Sequence, residues 1–289
     1  MFHLFRHHLN WKIFNRVAQG VVKQRLLGLA SEMAYNNALA LFPAMVAILT
    51  LIGTLKISRE QVDGLVNQWS IVVPEEVVDL IANFAHQVRV SNERGVLSIS
   101  FLFTVWIASS ALNVAMNAMD HIHHTPLHQV RPYWKAKLVS LLLTIGMMVI
   151  LLAASFLVFL SDLIVQFLAD QLHLSQPFLL DAWALLRWVL ALAILALGFS
   201  ILYRFGPSCR HPETPLLPGA LLGAASWAII SQGFRVYLEY FGSRLSLTYG
   251  ALSAGILLLL WLNFSSLSLL IGAQLNVSIG QIRQRNGRR

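Results

Sequence analysis

The most regular feature of the sequence is a series of six apolar stretches without Asp, Glu, Lys or Arg. They cover residues 33–55, 95–119, 138–161, 188–203, 214–234 and 245–282. A helix that crosses the hydrocarbon core of a bilayer needs roughly 20 mostly apolar residues. Because the backbone in lipid must satisfy its own hydrogen bonds, such stretches are helical. The pattern therefore predicts an all-α integral membrane protein with six transmembrane helices.

We place the six spans within one transmembrane domain, residues 31–280. Their predicted limits are about 33–55, 96–118, 138–160, 182–203, 215–234 and 249–278. The fourth span begins before its uncharged stretch, because the long side chain of Arg187 can extend to the membrane interface. The last stretch is too long for one simple span and too short for two, so its first residues are an apolar lead-in.

Three segments flank or interrupt this domain. Residues 1–30 are predicted to form an amphipathic helix on the membrane surface, because apolar residues recur there every fourth position: Leu9, Ile13, Val17 and Val21. Residues 56–94 are predicted to form an external helical segment, which Pro74 divides into two runs. This segment is either a lid over an external mouth or a cap on the bundle. Residues 281–289 form a basic tail.

The distribution of basic residues predicts the orientation. The N-terminal segment, the loops after the second and fourth spans, and the tail together hold 14 of the 21 Lys and Arg residues. Loops rich in Lys and Arg stay on the cytoplasmic side, so both termini are predicted to be cytoplasmic. The net charge of +8 then indicates contact with anionic lipids at the cytoplasmic face. We expect membrane lipids as partners and no nucleic acid.

Ionisable residues are absent from the centres of the predicted spans, which argues against a proton relay or an intramembrane metalloprotease. Uncharged polar residues nevertheless recur there. They either form hydrogen bonds between helices or line a path for a polar substrate headgroup. The path candidates are Asn36, Asn37, Ser109, Asn113, Asn117, Asn263, Gln274 and Asn276. Pro43 would kink the first helix and Tyr249 would let the last one bend, so both join the candidates.

Small residues indicate close packing between helices. Gly219 and Gly223 form a GxxxG motif in the fifth span, and Ala30, Ala34 and Ala38 form a ridge in the first. In membrane proteins such motifs let two helix backbones approach closely. These motifs are expected to pack helices within the bundle, or between copies of the chain in a homo-oligomer.

The segment MDHIHHTPLHQV, residues 119–130, is rich in histidine. On a continuous helix, His121, His124 and His128 would share one face and could hold a zinc or nickel ion. Thr125 and Pro126, however, are predicted to end the helix. We therefore predict a protonatable linker, no metal site and no cofactor. The sequence contains no Gly-rich phosphate loop or nucleophile elbow either.

Several stretches resemble the YihY/BrkB family of bacterial inner-membrane proteins. They are LASEMAYNNALALFPAMVAILTLIG, WIASSALNVAMNAM with RPYWKAKLVSLLLT, LLPGALLGAASWAIISQGFRVYLEYF, and TYGALSAGILLLLWLNFSSLSLLIGAQLN. The resemblance covers about residues 25–280, and it implies six spans with cytoplasmic termini in the bacterial inner membrane. Asn263 stands where the family usually has an aromatic residue, and Gln274 where it usually has Glu. The family's old ribonuclease BN label belongs to soluble metallo-hydrolases.

The expected function is therefore transport or translocation of a lipid or other envelope-related substrate, without nucleotide hydrolysis. Family members have been linked to virulence and to envelope lipid transport, which the resemblance implies here as well. An alternative is a non-transporting membrane scaffold of an envelope complex. A more remote alternative is a metal-dependent enzyme that uses the histidine segment. We expect the protein not to be an enzyme.

Overall fold

The computed structural model describes residues 11–54, 99–172, 176–210, 212–249 and 252–287. The helices in these residues are α1 Trp11–Lys23, α2 Leu26–Thr54, α3 Ile99–Ile122, α4 Tyr133–Leu172, α5 Gln176–Phe205, α6 Leu217–Tyr249 and α7 Leu252–Gly287. A short 3-10 turn, Leu127–Gln129, lies between α3 and α4. The described residues contain no strand, so the predicted all-α class is confirmed for them.

Five helices in the described part are long and apolar enough to cross a membrane. Their apolar portions are Leu102–Ile122, Tyr133–Ala154, Trp188–Phe205, Leu217–Phe241 and Leu252–Gln284. They correspond to the second through sixth predicted spans. The first predicted span lies in α2, which is not among the five. The predicted external segment 56–94 lies outside the described residues, as do residues 1–10 and the last two of the tail.

Several helices extend beyond the predicted spans. The predicted span 138–160 lies within α4, which has 40 residues. The predicted span 215–234 corresponds to α6, which begins two residues later, at Leu217, and continues through Arg235 and Glu239. Hydropathy marks only the part of a helix that suits hydrocarbon, whereas the backbone hydrogen bonds continue equally well into water. The helix ends were therefore not predictable from hydropathy alone.

The junction between α1 and α2 corrects the prediction of a single surface helix over residues 1–30. Here α1 ends at Lys23 and α2 begins at Leu26. Arg25 has a φ of 53°, in the left-handed region that breaks a right-handed helix. Leu26 and Ala30 are both fully buried, which separates them from a surface helix. The first residues after the bend thus belong to the bundle.

The helices of the bundle form a ring in which α7 is the best-contacted member. Each helix from α2 to α6 contacts the next one along the chain, and α7 contacts α6, α2, α1 and α3. The main core joins buried residues of most of these helices, including Leu26, Met119, Ile122 and Leu270. Large apolar side chains remain exposed on the outside, among them Ile229 at 72%. Such an outer surface suits lipid contact.

Candidate functional site

The crossing of α6 and α7 is a backbone-to-backbone contact. Gly219 of α6 lies so close to Gly272 of α7 that a methyl group on either would overlap the carbonyl oxygen of the other. A methyl group on Gly272 would also meet the hydroxyl of Tyr203, which donates a 2.7 Å hydrogen bond to the carbonyl of Leu269. One turn further along α6, Gly223 lies against Phe199 and Tyr203 of α5. The glycines of the GxxxG motif thus face α7 and α5.

Asn276, a predicted path residue, binds the start of α6. Its Oδ1 accepts a hydrogen bond from the Gly219 amide at 2.7 Å, and its Nδ2 donates to the Leu216 carbonyl at 3.1 Å. The first amides of a helix have no partner within the helix and need one from elsewhere. Asn276 supplies that partner from within the bundle, where only 2% of its surface is exposed.

Two predicted path residues join α2 to α7. Asn37 Nδ2 donates to Ser266 Oγ at 3.3 Å, and Asn263 Nδ2 donates to Ser31 Oγ at 2.7 Å. Asn36 instead bonds within its own helix, to a carbonyl one turn earlier. The alanine ridge lies on the same helix: Ala30 and Ala34 are buried and Ala38 is half-buried. The α2–α7 contact therefore pairs its amides with hydroxyls.

The predicted stripe on α3 does not share one environment. Ser109 is fully buried and donates to the Trp106 carbonyl of its own helix at 2.7 Å. Asn117 is exposed. Asn113 lies between them, and its Oδ1 is buried without a hydrogen-bond partner among the described residues. A buried carbonyl oxygen without a donor is unusual and costs free energy.

Lys137 on α4 is a polar residue that sequence reasoning missed. The charge distribution predicts Lys137 as a cation of the loop after the second span, whereas α4 begins at Tyr133 and Lys137 lies one turn inside it. Only 3% of its surface is exposed. Its Nζ donates to the Trp106 carbonyl at 2.8 Å and to Ser110 Oγ at 3.2 Å, and it lies 4.8 Å from the centre of the Trp106 ring. No carboxylate of the described residues pairs with it.

The remaining path candidates are distributed along the bundle. Gln274 is buried against Gly20 of α1, which has no room for a side chain there. The Oε1 of Gln274 has no partner in the described part of the chain, and its Nε2 reaches Ser278 Oγ at 3.4 Å. Pro43 lies inside α2. Tyr249 ends α6, and its side chain lies outside the described residues.

The histidine segment does not assemble a ligand set. Helix α3 ends at Ile122, His124 has a left-handed φ of 52°, and His121 and His128 are exposed. Across residues 11–54, 99–172, 176–210, 212–249 and 252–287, no three His, Cys, Asp or Glu residues come close enough to hold a metal ion. The left-handed turn at His124 takes it off the helix that would have aligned it with His121.

Asp120 of this segment and Arg131, just after it, instead form a clamp with the end of α5 and the loop that follows it. Asp120 accepts two hydrogen bonds from Ser208, from its amide and from its hydroxyl, both at 2.6 Å. Arg131 donates to the carbonyls of Phe205, Gly206 and Pro207 at 2.8–3.0 Å. These carbonyls lie at the end of α5, where a cation stabilises the unpaired oxygens and the helix dipole. The clamp therefore holds the ends of α3 and α5 together.

His123 lies beside this clamp. Its Nδ1 donates to the Met119 carbonyl at 2.9 Å. Burial lowers the pKa of His123, while the bond to Met119 and the nearby Asp120 act in the opposite direction. His123 also lines a narrow cavity with Tyr203 and Asn276, next to the α6–α7 crossing.

The family follows from sequence comparison. Residues 17–289 match the profile of the family described as Virulence factor BrkB. The chain belongs to this family. It is therefore a membrane protein, and the predicted relationship is confirmed.

Several bacterial proteins have sequences similar to this chain. The putative ribonuclease-like protein YfkH of Bacillus subtilis (strain 168) is 29% identical over 86% of this chain and 87% of its own length. A UPF0761 membrane protein of Yersinia enterocolitica is 28% identical over 71% of this chain and 66% of its own length. A UPF0761 membrane protein of Haemophilus influenzae (strain 86-028NP) is 23% identical over 95% of this chain and 94% of its own length. No solved structure matches the chain.

In its described residues, this BrkB-family bundle offers hydrogen-bonding groups and one buried cation. The amides at α2–α7 and at the α6–α7 crossing are paired within the protein. Asn113 and Lys137 differ, because the first lacks a donor and the second lacks an ionic partner within the described residues. An open apolar groove of about 420 Å³ lies between α6 and α7, lined by Ile230, Gly233, Phe234, Tyr237, Leu260 and Phe264. Such a groove suits alkyl chains.

Proposed function

We propose that the protein is a transporter of the bacterial inner membrane that moves a lipid or another envelope-related substrate without hydrolysing a nucleotide. In this proposal the chain has six spans, both termini are cytoplasmic, and the substrate's polar group passes along faces of α2, α3 and α7. No enzymatic activity is part of the proposal. The word ribonuclease in the name of the Bacillus relative is not part of this proposal. The histidines that would support a metal-dependent enzyme form no common metal site in the described residues.

The observation that supports transport is the buried amide oxygen of Asn113, which lies in an apolar helix and has no hydrogen-bond partner among the described residues. An asparagine that served only to join helices would have a partner, as Asn37 and Asn276 do. In a membrane a polar group without a partner costs several kcal/mol, because no water replaces the missing bond. A passing substrate headgroup with a hydrogen-bond donor would supply that partner.

The test is lipid translocation in liposomes that contain the purified protein and NBD-labelled phosphatidylglycerol or phosphatidylethanolamine. Dithionite bleaches only the label of the outer leaflet, so translocation raises the bleached fraction above one half. We expect fast translocation with the wild type and a roughly ten-fold slower rate with Asn113→Leu combined with Asn117→Leu, because the path loses its hydrogen-bonding groups. Rates equal to those of protein-free liposomes, for both labels, would contradict the proposal.

Thr144→Val is the matched control. Thr144 is buried on α4, and its hydroxyl bonds only to the Ser140 carbonyl of its own helix, at 2.7 Å. Valine has nearly the same shape, so translocation should continue at the wild-type rate. Elution as a single species from size exclusion in detergent checks that each variant is folded. If the asparagine double variant also moved lipid at the wild-type rate, α3 would not carry the path.

A scaffold is the second candidate, favoured by glycines on open faces of the bundle. Apart from the nearby backbone of its own helix, no described atom lies within 4 Å of where a side chain would begin at Gly146 or at Gly233. Small residues on such faces let another helix approach closely. A scaffold predicts a partner protein in fixed ratio after gentle purification, measured by native mass spectrometry. Repeated isolation of the chain alone, with translocation activity, would exclude this candidate.

A further inference from the structure

Lys137 is a buried cation that has hydrogen-bond partners but no ionic partner in the described part of the chain. A lysine ammonium carries three N–H donors. Two of them reach the Trp106 carbonyl and Ser110 Oγ, at 2.8 and 3.2 Å. The Trp106 ring, 4.8 Å away, provides a further contact of the kind that attracts cations. One donor and the net charge remain unmatched.

An unmatched charge of this kind is costly at the edge of a membrane. Neutral acceptors and an aromatic face stabilise an ammonium, but they do not neutralise it, and a desolvated ion is expensive without a counter-ion. Arg131, in the loop before α4, already donates to three carbonyls. Lys137 is therefore the cation that an external anion would satisfy.

The surroundings of Lys137 indicate where that anion comes from. Trp134 is 72% exposed, and its ring centre lies 6.3 Å from that of Trp106 and 5.6 Å from that of Tyr133. Exposed Trp and Tyr at the end of a membrane helix are typical of the headgroup level of a bilayer. Trp134 thus places an exposed aromatic ring next to Trp106, whose ring and carbonyl contact the ammonium.

Alkyl chains would find a matching surface next to this aromatic group. Leu138 and Leu142 follow on the outer face of α4, at 59% and 63% exposed, and Leu102 and Phe103 lie exposed on α3. A ligand with an anionic head at Lys137 and hydrocarbon along these residues is an amphiphile. The Ser110 bond is the longer of the two that hold the ammonium, so the ammonium can exchange it for a stronger bond to a charged oxygen.

We infer that Lys137, with Ser110 and the Trp106–Trp134 pair, forms a binding site for the phosphate group of an anionic membrane lipid. The site specifies a phosphate headgroup as the substrate chemistry of the proposed transport function. It rests on that proposal only in assuming that the protein lies in a membrane. Phosphate oxygens accept charge-assisted hydrogen bonds, and a diester leaves one negative charge to match one ammonium.

Native mass spectrometry of the full chain, with equal amounts of phosphatidylglycerol and phosphatidylcholine, tests the site. We expect the wild type to retain one phosphatidylglycerol and Lys137→Met to bind it about ten-fold more weakly, because the ionic partner is lost. Lys137→Arg should keep most of the binding. Lys135→Met is the matched control, since Lys135 is exposed and its loss changes the net charge equally. An equal loss from both methionine variants would overturn the inference.

Thermal unfolding in detergent separates binding from folding. Phosphatidylglycerol should raise the Tm of the wild type and not that of Lys137→Met, whereas without lipid the variant should unfold at the same temperature or higher, since a buried unpaired charge is gone. A variant that is stabilised by phosphatidylglycerol as much as the wild type would contradict the site.

Inorganic phosphate distinguishes the two sources of the ligand. If 10-fold excess phosphate displaces phosphatidylglycerol from the wild type, the site recognises phosphate itself and serves a soluble phosphate compound. If it does not, the lipid is the ligand, because its hydrocarbon contributes to binding. If the protein binds phosphatidylglycerol but moves no lipid in liposomes, the binding site is supported and the transport proposal is contradicted. Translocation that persists in Lys137→Met, with phosphatidylglycerol still bound, would remove only the site.

Discussion

The α6–α7 crossing and the α3–α4 contact use similar residues in opposite ways. At the crossing, Asn276 satisfies an amide and a carbonyl of α6, and Gly219 and Gly272 bring the two backbones together. On α3, Asn113 keeps a buried oxygen without a partner, and at the α3–α4 contact Lys137 keeps a charge without a counter-ion, both among the described residues. Both asparagines lie in apolar helices, but Asn276 bonds to α6, whereas Oδ1 of Asn113 has no partner among the described residues.

This difference distinguishes polar side chains that stabilise a membrane protein from polar side chains that are available to a ligand. A polar side chain whose bonds are all met inside the bundle contributes to stability, and its removal leaves other groups unpaired. A polar side chain with unmet bonds reduces stability, so it persists for another reason, such as binding a ligand. The comparison predicts opposite effects of the same substitution in the two regions.

The largest effect is expected from Gly272→Ala. A methyl group there would overlap the Gly219 carbonyl and the Tyr203 hydroxyl, so α6 and α7 would have to separate. Overpacking of this kind costs about 1–3 kcal/mol or more, and we expect the Tm to fall by roughly 5–10 °C. Gly146→Ala is the control, because nothing lies within 4 Å of that position. Equal Tm values for the two variants would show that the crossing is not tightly packed.

A medium effect is expected from Asn276→Leu. The substitution leaves the Gly219 amide and the Leu216 carbonyl without their partner, which costs about 1–3 kcal/mol. The folded fraction after heating, measured by size exclusion in detergent, should fall accordingly.

Asn113→Leu is the comparison for Asn276→Leu, because the same substitution there removes an oxygen that has no partner among the described residues. It should leave stability unchanged or raise it slightly. If Asn113→Leu destabilised the protein as much as Asn276→Leu, the distinction between the two regions would fail.

The smallest effect is expected from pH at His123, next to the crossing. Burial lowers the pKa of His123 in the folded protein, whereas an unfolded histidine has a pKa of about 6.5. Below that pH the unfolded chain takes up a proton before the folded one, so stability is complete above about pH 6.5 and declines as the pH falls. We expect the Tm to drop by a few °C at most between pH 7.5 and 5.5.

His123→Gln should make this acid-side decline shallower. His128→Gln is the control, because His128 is exposed and is not among the groups acting on His123, which include Asp120, Arg210 and His124. A pH profile of His123→Gln identical to that of the wild type would assign the decline to other groups.

The apolar pattern predicted helices well and side-chain roles poorly. Hydrophobic stretches without charge place a helix whatever its neighbours are, and five of the described helices meet the length and composition of a span. The path candidates required knowledge of which helices touch. Asn276 was grouped with Asn113 because both are polar in apolar spans, and only the contact with α6 shows that Asn276 completes a helix start.

Lys137 and Arg25 show why the rest was not predictable. Charge counting treated Lys137 as part of a loop, because helix starts are not fixed by hydropathy, and α4 begins before its uncharged stretch. The bend at Arg25 is a single left-handed residue without a glycine or proline to mark it. Both depend on long-range packing, which one sequence does not display.

The clamp has a consequence for the order in which the protein is made. Asp120 and Arg131 bind residues that follow them by 88 and by 74 to 76 positions. At a synthesis rate of about 5–20 residues per second, the loop after α5 leaves the ribosome on the order of 4–18 s after they do. For that interval Asp120 and Arg131, at the tip of the α3–α4 hairpin, lack their partners from the end of α5 and the loop after it. A nascent chain halted before Phe205 would lack all of these partners.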